Sequence, residues 1–364
     1  MIKNYELKDL KQAIYLSSIR NTPLQIMNPV SDEVVALCND NGLSAWCYSR
    51  YKDDLLRGLD PAVVSQWKSI YFLNTISYQR YLVVFNKVNQ LLRQAGIPLL
   101  VLKGMALASS LYGDDGLRPM GDIDVLVPDG MGLKALDILL KSGAKQLFVP
   151  RSSYHEQADA HVRAVSIDGI MVEVHQRLFA LGSNFHTSRV DFFKHRVVVL
   201  KQNTQMQMLN DVWMGYHLIA HAIKGIEMGG LRLGWLLDIA VLINAQKDYK
   251  TYIDSILSVR PKMKNAMLSV VNMAALLLPE HDLYNGIDID LNCEKIFPLL
   301  NNDGHEKVHR WINLHHHIRT PGLTNKAHLL FYEFFPCREY MLFRYQASSK
   351  AGLLYAYLKR ITGR

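Results

Sequence analysis

Two aspartates one residue apart, Asp122 and Asp124, stand at the head of an apolar run, residues 123–127. In an extended segment successive side chains point to opposite faces, so residues two apart share one. The pair therefore presents two carboxylates to one side and sends Ile123 and Val125 to the other. Carboxylates held this close repel unless a cation lies between them. A hard divalent cation with oxygen ligands, Mg²⁺ or Mn²⁺, is the natural occupant. Glu173 fits the same logic, because the run 170–175 sets it between Val172 and Val174, where an unpaired charge is costly to bury. If the strand that carries it lies beside 123–127, Glu173 completes a three-carboxylate cluster. Two metals held that way would stabilise the entering and leaving oxygens of a phosphoryl displacement. His175 shares Glu173's face and could touch substrate or metal, or be structural.

Other polar residues stand near this pattern. Lys103-Gly104 falls between a short apolar run and a helical one. A glycine there lets backbone approach a phosphate, and the helix behind it offers unpaired N–H groups and a positive dipole end. Lys103 adds a mobile point charge for a triphosphate. Alone the dipeptide is a weak signal; its weight comes from standing one helix and one loop ahead of the aspartates. Arg118, in that loop, is either a phosphate contact or a solvated loop residue. His217 and His221 are one helical turn apart, with Lys224 on roughly that face. They read as lining a cleft, or as plain core and surface. A metal role for the histidine pair needs a third ligand, for which Asp238 is a candidate. His315-His316-His317 reads as helix surface or a helix end. The C-terminal LLYAYLKRITGR is basic and amphipathic, suited to docking on the core or to touching a membrane surface or RNA.

These residues need elements to hold them. Residues 1–95 have helical spacing, with apolar residues three and four apart, clearest over 61–95, where Tyr71, Ile76, Tyr78, Leu82, Phe85, Val88 and Leu92 repeat at helical spacing and Gly96 ends the pattern. Residues 97–102 read as a buried strand, 105–112 as a helix, 123–127 as a strand stopped by Pro128, and 133–142 as a helix ended by Gly143. A third strand is expected at 145–149. Runs 161–167 and 170–175 flank Asp168-Gly169, a hairpin signal. From 206 onward the pattern is helical, over 206–224, 231–248, 252–259, 262–278, 304–317 and the last 25 residues. The predicted architecture is α+β. A small mixed-sheet core, 96–203, is flanked by a helical N-terminal region, 1–95, and a helical C-terminal region, 204–364, that closes one side of the cleft.

Composition sets the outer bounds. At 364 residues and 49% hydrophobic, the chain can bury a sizeable core throughout. A net charge of +8 is compatible with anionic partners such as nucleotides, RNA or acidic lipid. Cys38, Cys47, Cys293 and Cys337 form no CxxC pair, and MIKNYELKDLKQ lacks the apolar core of a signal peptide. The expectation is a cytoplasmic protein with reduced thiols and no transmembrane segment.

LVLKGMALASSLYGDDGLRPMGDIDVLVP, followed by VEVHQRL, resembles the uncharacterised bacterial nucleotidyltransferases of the NTP_transf_5 type. More broadly it is similar to the superfamily that includes DNA polymerase β, whose pattern is a glycine-led helix, then h[DE]h[DE]h and a later acidic strand residue. The region from His217 to Leu242 resembles that family more loosely. The resemblance places Lys103 and Gly104 at the triphosphate, Asp122 and Asp124 on the metals, and Glu173 as the third carboxylate, a candidate to take the acceptor's proton. It implies transfer of a nucleoside monophosphate from an NTP to an acceptor, with Mg²⁺ or Mn²⁺ as cofactor and pyrophosphate released. The acceptor is expected to be a small molecule or saccharide rather than protein or RNA, because no RNA-binding module or aromatic stacking platform is evident. The rival reading is a non-catalytic nucleotide-binding or scaffold module on the same fold. Met105 departs from the superfamily's Gly or Ser after the glycine, and the stretch from Gly104 to Asp122 is long.

Overall fold

Proline suits the first position of a helix and a left-handed glycine suits the residue after its end, and the longest helix, Pro61–Gln94, uses both. Asp60 accepts from the Ala62 amide at 2.7 Å. Gly96 takes φ +71°. Its amide reaches the Arg93 carbonyl while that of Ile97 reaches Leu92. Tyr78, Leu82, Phe85, Val88 and Leu92 are buried, as their spacing predicts. Ile76 is exposed instead, because two residues before Tyr78 is nearly the opposite side of a helix.

The computed structural model describes residues 6–19, 30–55, 59–188, 190–228, 230–279, 289–300, 306–346 and 350–362. Contacts gather them into two units that interleave along the chain, and so do not follow the sequence-order boundaries near 95 and 203. One takes described residues of 84–101, 121–193 and 306–364; the other takes those of 1–83, 102–120 and 194–305.

The unit containing residues 121–193 is built on five strands: β1 (Leu100–Val101), β2 (Asp122–Leu126), β3 (Lys145–Gln146), β4 (Val165–Ile167) and β5 (Ile170–His175). Their order is β3-β4-β5-β2-β1. The pair β2/β5 is parallel, while β1/β2, β3/β4 and β4/β5 are antiparallel. Asp168 and Gly169, at φ +51° and +82°, make the tight turn between β4 and β5, as the Asp-Gly signal predicts. Ile123 and Val125 stand opposite Val172 and Val174. All four are buried, as are Ala135, Leu136 and Leu139 of the helix Gly132–Lys141, which packs against β5.

Helices Glu306–Arg319, Leu323–Phe334, Arg338–Tyr345 and Lys350–Thr362 belong to this same unit. The buried Glu333 carboxylate, on the second of them, joins the first and the last to the segment around Arg151. Arg151 and His317 donate to its Oε2, Arg360 lies 3.6 Å from Oε1 and His155 Nε2 lies 3.6 Å from Oε2. His317 therefore turns inward from the histidine triplet.

The other unit carries a hairpin of β6 (Arg196–Lys201) and β7 (Thr204–Leu209), joined by Gln202 and Asn203 at φ +48° and +62°. This corrects the helix expected from 206. Three valines and a leucine favour the pleated form. Helix Asp211–Glu227 starts only after Asn210, whose side chain accepts from the Trp213 amide at 3.1 Å. That helix packs against helices Leu233–Asn244, Tyr249–Val259 and Lys264–Ala275. The fold is α+β, and no helix among the described residues is long and apolar enough to cross a membrane.

Burial alone would raise the Glu333 carboxyl. The His155 and His317 imidazoles and the Arg151 guanidinium outweigh it and hold the group well below the usual carboxylate range. A depressed carboxyl stabilises the fold fully above its unfolded value, about pH 4.3. That contribution is lost as pH falls toward the folded value. Glu333→Gln should cost about 3–5 kcal/mol at neutral pH, because it leaves the guanidinium buried without its counter-charge. It should also flatten the loss of stability below about pH 4.3. Urea titrations across pH check both; parallel acid limbs for the two proteins would contradict the assignment.

Candidate active site

The register of β2 on β5 builds the site. Asp124 stands directly opposite Glu173, and Leu126 opposite His175. Strand alternation puts Asp122, Asp124, Glu173 and His175 on the face away from the apolar set. The strand adjacency that the sequence left open is thereby supplied. His175 Nε2 lies 2.8 Å from Asp124 Oδ1 and 3.7 Å from Glu173 Oε2. The donor atoms of Asp124, Glu173 and His175 all lie within 4.8 Å of one another. Asp122 stands opposite Met171, half-buried, outside this group of mutually close atoms.

Exposure differs sharply within the cluster. The side chains of Asp124 and His175 are 3% and 4% exposed, that of Glu173 19%. Glu173 is therefore the member that solvent or a ligand can reach. Burial raises the Glu173 carboxyl, but the hydrogen bond from His175 and the nearby His161 imidazole outweigh it, so the net direction is downward. His161 bridges to His175 through the backbone, with ring centroids 5.3 Å apart. Sequence reasoning did not single out His161; it lies in a short bridge outside any strand.

Two carboxylates beside one another suit Mg²⁺ or Mn²⁺. With Nε2 on Asp124, His175 stands where the orienting partner of a metal-binding carboxylate commonly does. The donor set fits a divalent ion. Glu173 also lines a cavity of about 400 Å³, together with His155, His161, Arg163 and His317.

The remaining predicted residues lie in the other unit. Lys103, at φ +42°, opens helix Lys103–Ser110, which has no side-chain cap at its start. A Cβ on Gly104 would come within 2.5 Å of Arg118 Nη1. The glycine thus makes room for a guanidinium, a use the sequence did not disclose. Arg118 is clamped by Asp238: Nε donates to Oδ1 at 2.8 Å and Nη2 to Oδ2 at 2.7 Å. Tyr112 donates to the same Oδ1 at 2.6 Å. Burial and the Asp238 charge push the Tyr112 hydroxyl well above its ordinary range.

Asp238 is therefore committed to Arg118 and Tyr112, which corrects its candidacy as a third ligand for the histidine pair. His217 is buried, the His221 ring lies 4.8 Å from Trp235, and Lys224 is exposed. Among the described residues, none of the three joins a metal-type donor cluster. The second such cluster is His155, His317 and Glu333, where Arg151 already supplies the positive charge.

Asp238→Ala should destabilise the protein by about 3–5 kcal/mol, since it strands a bidentate guanidinium and a buried hydroxyl. Arg118→Lys should cost less, because one ammonium keeps the charge but loses the fork. Chemical denaturation of both variants checks the order; an Asp238→Ala protein as stable as wild type would contradict the clamp.

A family model described as uncharacterised nucleotidyltransferase matches residues 30–279, more than two thirds of the chain. No curated protein matches. Among solved structures, an antigenic nucleotidyltransferase-like protein from Paracoccidioides brasiliensis matches at 16% identity. The match covers 55% of this chain and 92% of that one, with a TM-score of 0.28, a likeness too slight to inform the site.

Proposed function

Because the chain belongs to this uncharacterised nucleotidyltransferase family, we propose that it moves a nucleoside monophosphate from an NTP to an acceptor hydroxyl or phosphate. The single observation that carries the reading is Asp124 opposite Glu173 on parallel strands, with His175 hydrogen-bonded to the aspartate. Such a face concentrates negative charge at one place and holds it rigidly.

In this reading Asp124 and Glu173 would hold the divalent ion, with Asp122, two residues back on the same strand, as a further ligand. The ion would supply neutralisation of the triphosphate charge. His175 fixes the Asp124 carboxylate. Glu173, the cluster's exposed member, faces the acceptor. The acceptor oxygen bonds to the α-phosphorus as the bond to the bridging oxygen breaks. Pyrophosphate leaves, and a hydroxyl acceptor's proton passes to Glu173. Catalysis of this kind is mostly positioning and charge neutralisation.

Lys103 and Gly104 are assigned to the triphosphate by family resemblance. Arg118, held by Asp238, serves the fold of its loop and shapes the Gly104 turn, rather than acting as a mobile phosphate ligand.

The test is pyrophosphate release from each NTP with Mg²⁺ or Mn²⁺ and a cell extract. Asp124→Asn and Glu173→Gln should each lower the rate by about 100-fold or more, equivalent to about 3 kcal/mol of lost charge stabilisation. NTP binding with no pyrophosphate released by the wild type would support the non-catalytic module instead.

A further inference from the structure

Helices Leu323–Phe334 and Lys350–Thr362, both in the unit that holds Glu173, are docked by one face each. Leu329 and Glu333, one turn apart, are the buried positions of the first. In the second, Ala356 is buried, Tyr357 Oη donates to the Pro336 carbonyl at 2.7 Å and Arg360 Nη2 to the Glu333 carbonyl at 2.7 Å. A helix docked this way ordinarily turns a polar back to water. These two do not. Phe331, Phe334 and Phe335 stand on the side away from Leu329 and Glu333, and Leu354, Tyr355 and Leu358 on the side away from Ala356, Tyr357 and Arg360. All six are exposed, Leu354 by 64% and Tyr355 by 67%. The same two hydrogen bonds lay the second helix beside residues 333–336, so its outward stripe belongs to the same part of the unit as the three phenylalanines.

Single exposed apolar side chains are ordinary; a concentration of them is not. Nine of the twenty large exposed apolar side chains among the described residues fall within 306–364. Charge gathers in the same segment. It has ten Lys and Arg against three Asp and Glu, and so carries +7 of the chain's net +8. One of those acids, Glu333, is buried and taken by Arg151. Arg338, Arg344 and Lys359 are exposed. Apolar side chains standing among exposed cations match a surface with an apolar layer beneath an anionic one, and a bilayer containing acidic lipid is such a surface.

We propose that the outward faces of these helices dock the protein on an anionic membrane surface. Phenylalanine and leucine enter the acyl boundary, and the arginine and lysine heads meet lipid phosphates. The docking is peripheral, since no helix among the described residues is long and apolar enough to cross a membrane. Nucleic acid fits the same cations less well. Phe331 and Phe335 stack on each other, with centroids 5.3 Å apart and planes at 29°, which uses ring faces that bases would need. The leucines offer bases nothing comparable. A protein ligand would ordinarily find a groove. These side chains stand out from helix backs instead, and the cavity that Glu173 lines includes none of the six. Membrane docking does not depend on the transferase chemistry.

The test is co-sedimentation of the full chain with vesicles of phosphatidylcholine alone and of phosphatidylcholine with about a third phosphatidylglycerol. The protein should bind the anionic vesicles about tenfold more tightly or better, and added salt should weaken that binding. Leu354→Gln/Leu358→Gln and Arg338→Gln/Lys359→Gln should each weaken binding to the anionic vesicles about tenfold or more, with circular dichroism unchanged. Amide hydrogen exchange of the wild type should slow at residues 331–335 and 354–358 when those vesicles are added. Should a variant lose its fold, this wild-type footprint decides. Equal binding to both vesicles, no binding to either, folded variants that bind as wild type, or slowed exchange confined to other segments overturns membrane docking. Binding to single-stranded RNA, or a dimer in analytical ultracentrifugation, with the vesicles left unbound, also overturns it and assigns the surface to nucleic acid or to a second copy.

Discussion

Asp124 and Glu173 face each other across one rung of a parallel strand pair, and that rung is set by the apolar residues on the other face of the same strands. Ile123, Val125, Val172 and Val174 are all buried. A slip of one residue between β2 and β5 would turn those side chains out and bring the carboxylates in. Burial of the apolar face therefore fixes the spacing of the charged one. The candidate chemistry depends on the core in this direct sense. His175, two residues beyond Glu173, then falls where its ring meets Asp124. The cluster thus comes from two strands, and its third member from the same alternation that supplies the second.

Each unit also holds a buried carboxylate answered by a guanidinium. Asp238 takes a fork from Arg118 and a hydroxyl from Tyr112. Glu333 takes Arg151, with His317 and His155 beside it. Such pairs contribute little beyond a well-packed apolar alternative, but removing one partner leaves a stranded charge. Their effect is to fix where segments meet. Asp238 anchors the loop that carries Arg118, and Glu333 anchors C-terminal helices to the segment around Arg151. That second anchor sets His317 and His155 in the wall of the cavity that Glu173 lines.

What the sequence disclosed was local and periodic. The aspartate strand, the Asp-Gly turn, the glycine that stops the long helix and a lone glutamate among valines each carry their signal within a few residues. The sequence leaves the pairing of β2 with β5 open, and the register supplies it. What escaped was non-local. Nothing near Arg118 names Asp238 as its partner, 120 residues on, and nothing near His317 names Glu333. Nothing near Gly104 says that the space its missing side chain leaves is occupied by Arg118. The β6/β7 hairpin was legible in Arg196–Lys201 and in two residues able to take left-handed conformations, but the helical pattern after it masked the signal. Ile76 is exposed because its angle around the helix, two residues from Tyr78, sets it on nearly the opposite side from the buried stripe.

The central claim is that the carboxylates of Asp124 and Glu173 form one cation site. The most direct measurement is Mn²⁺ binding followed by electron paramagnetic resonance, on the wild type and on Asp124→Asn and Glu173→Gln. The account predicts that the free Mn²⁺ signal falls on addition of wild-type protein and that either substitution restores most of it while the fold, checked by circular dichroism, is unchanged. Wild-type binding that survives both substitutions, or no binding in the presence of NTP, would contradict it.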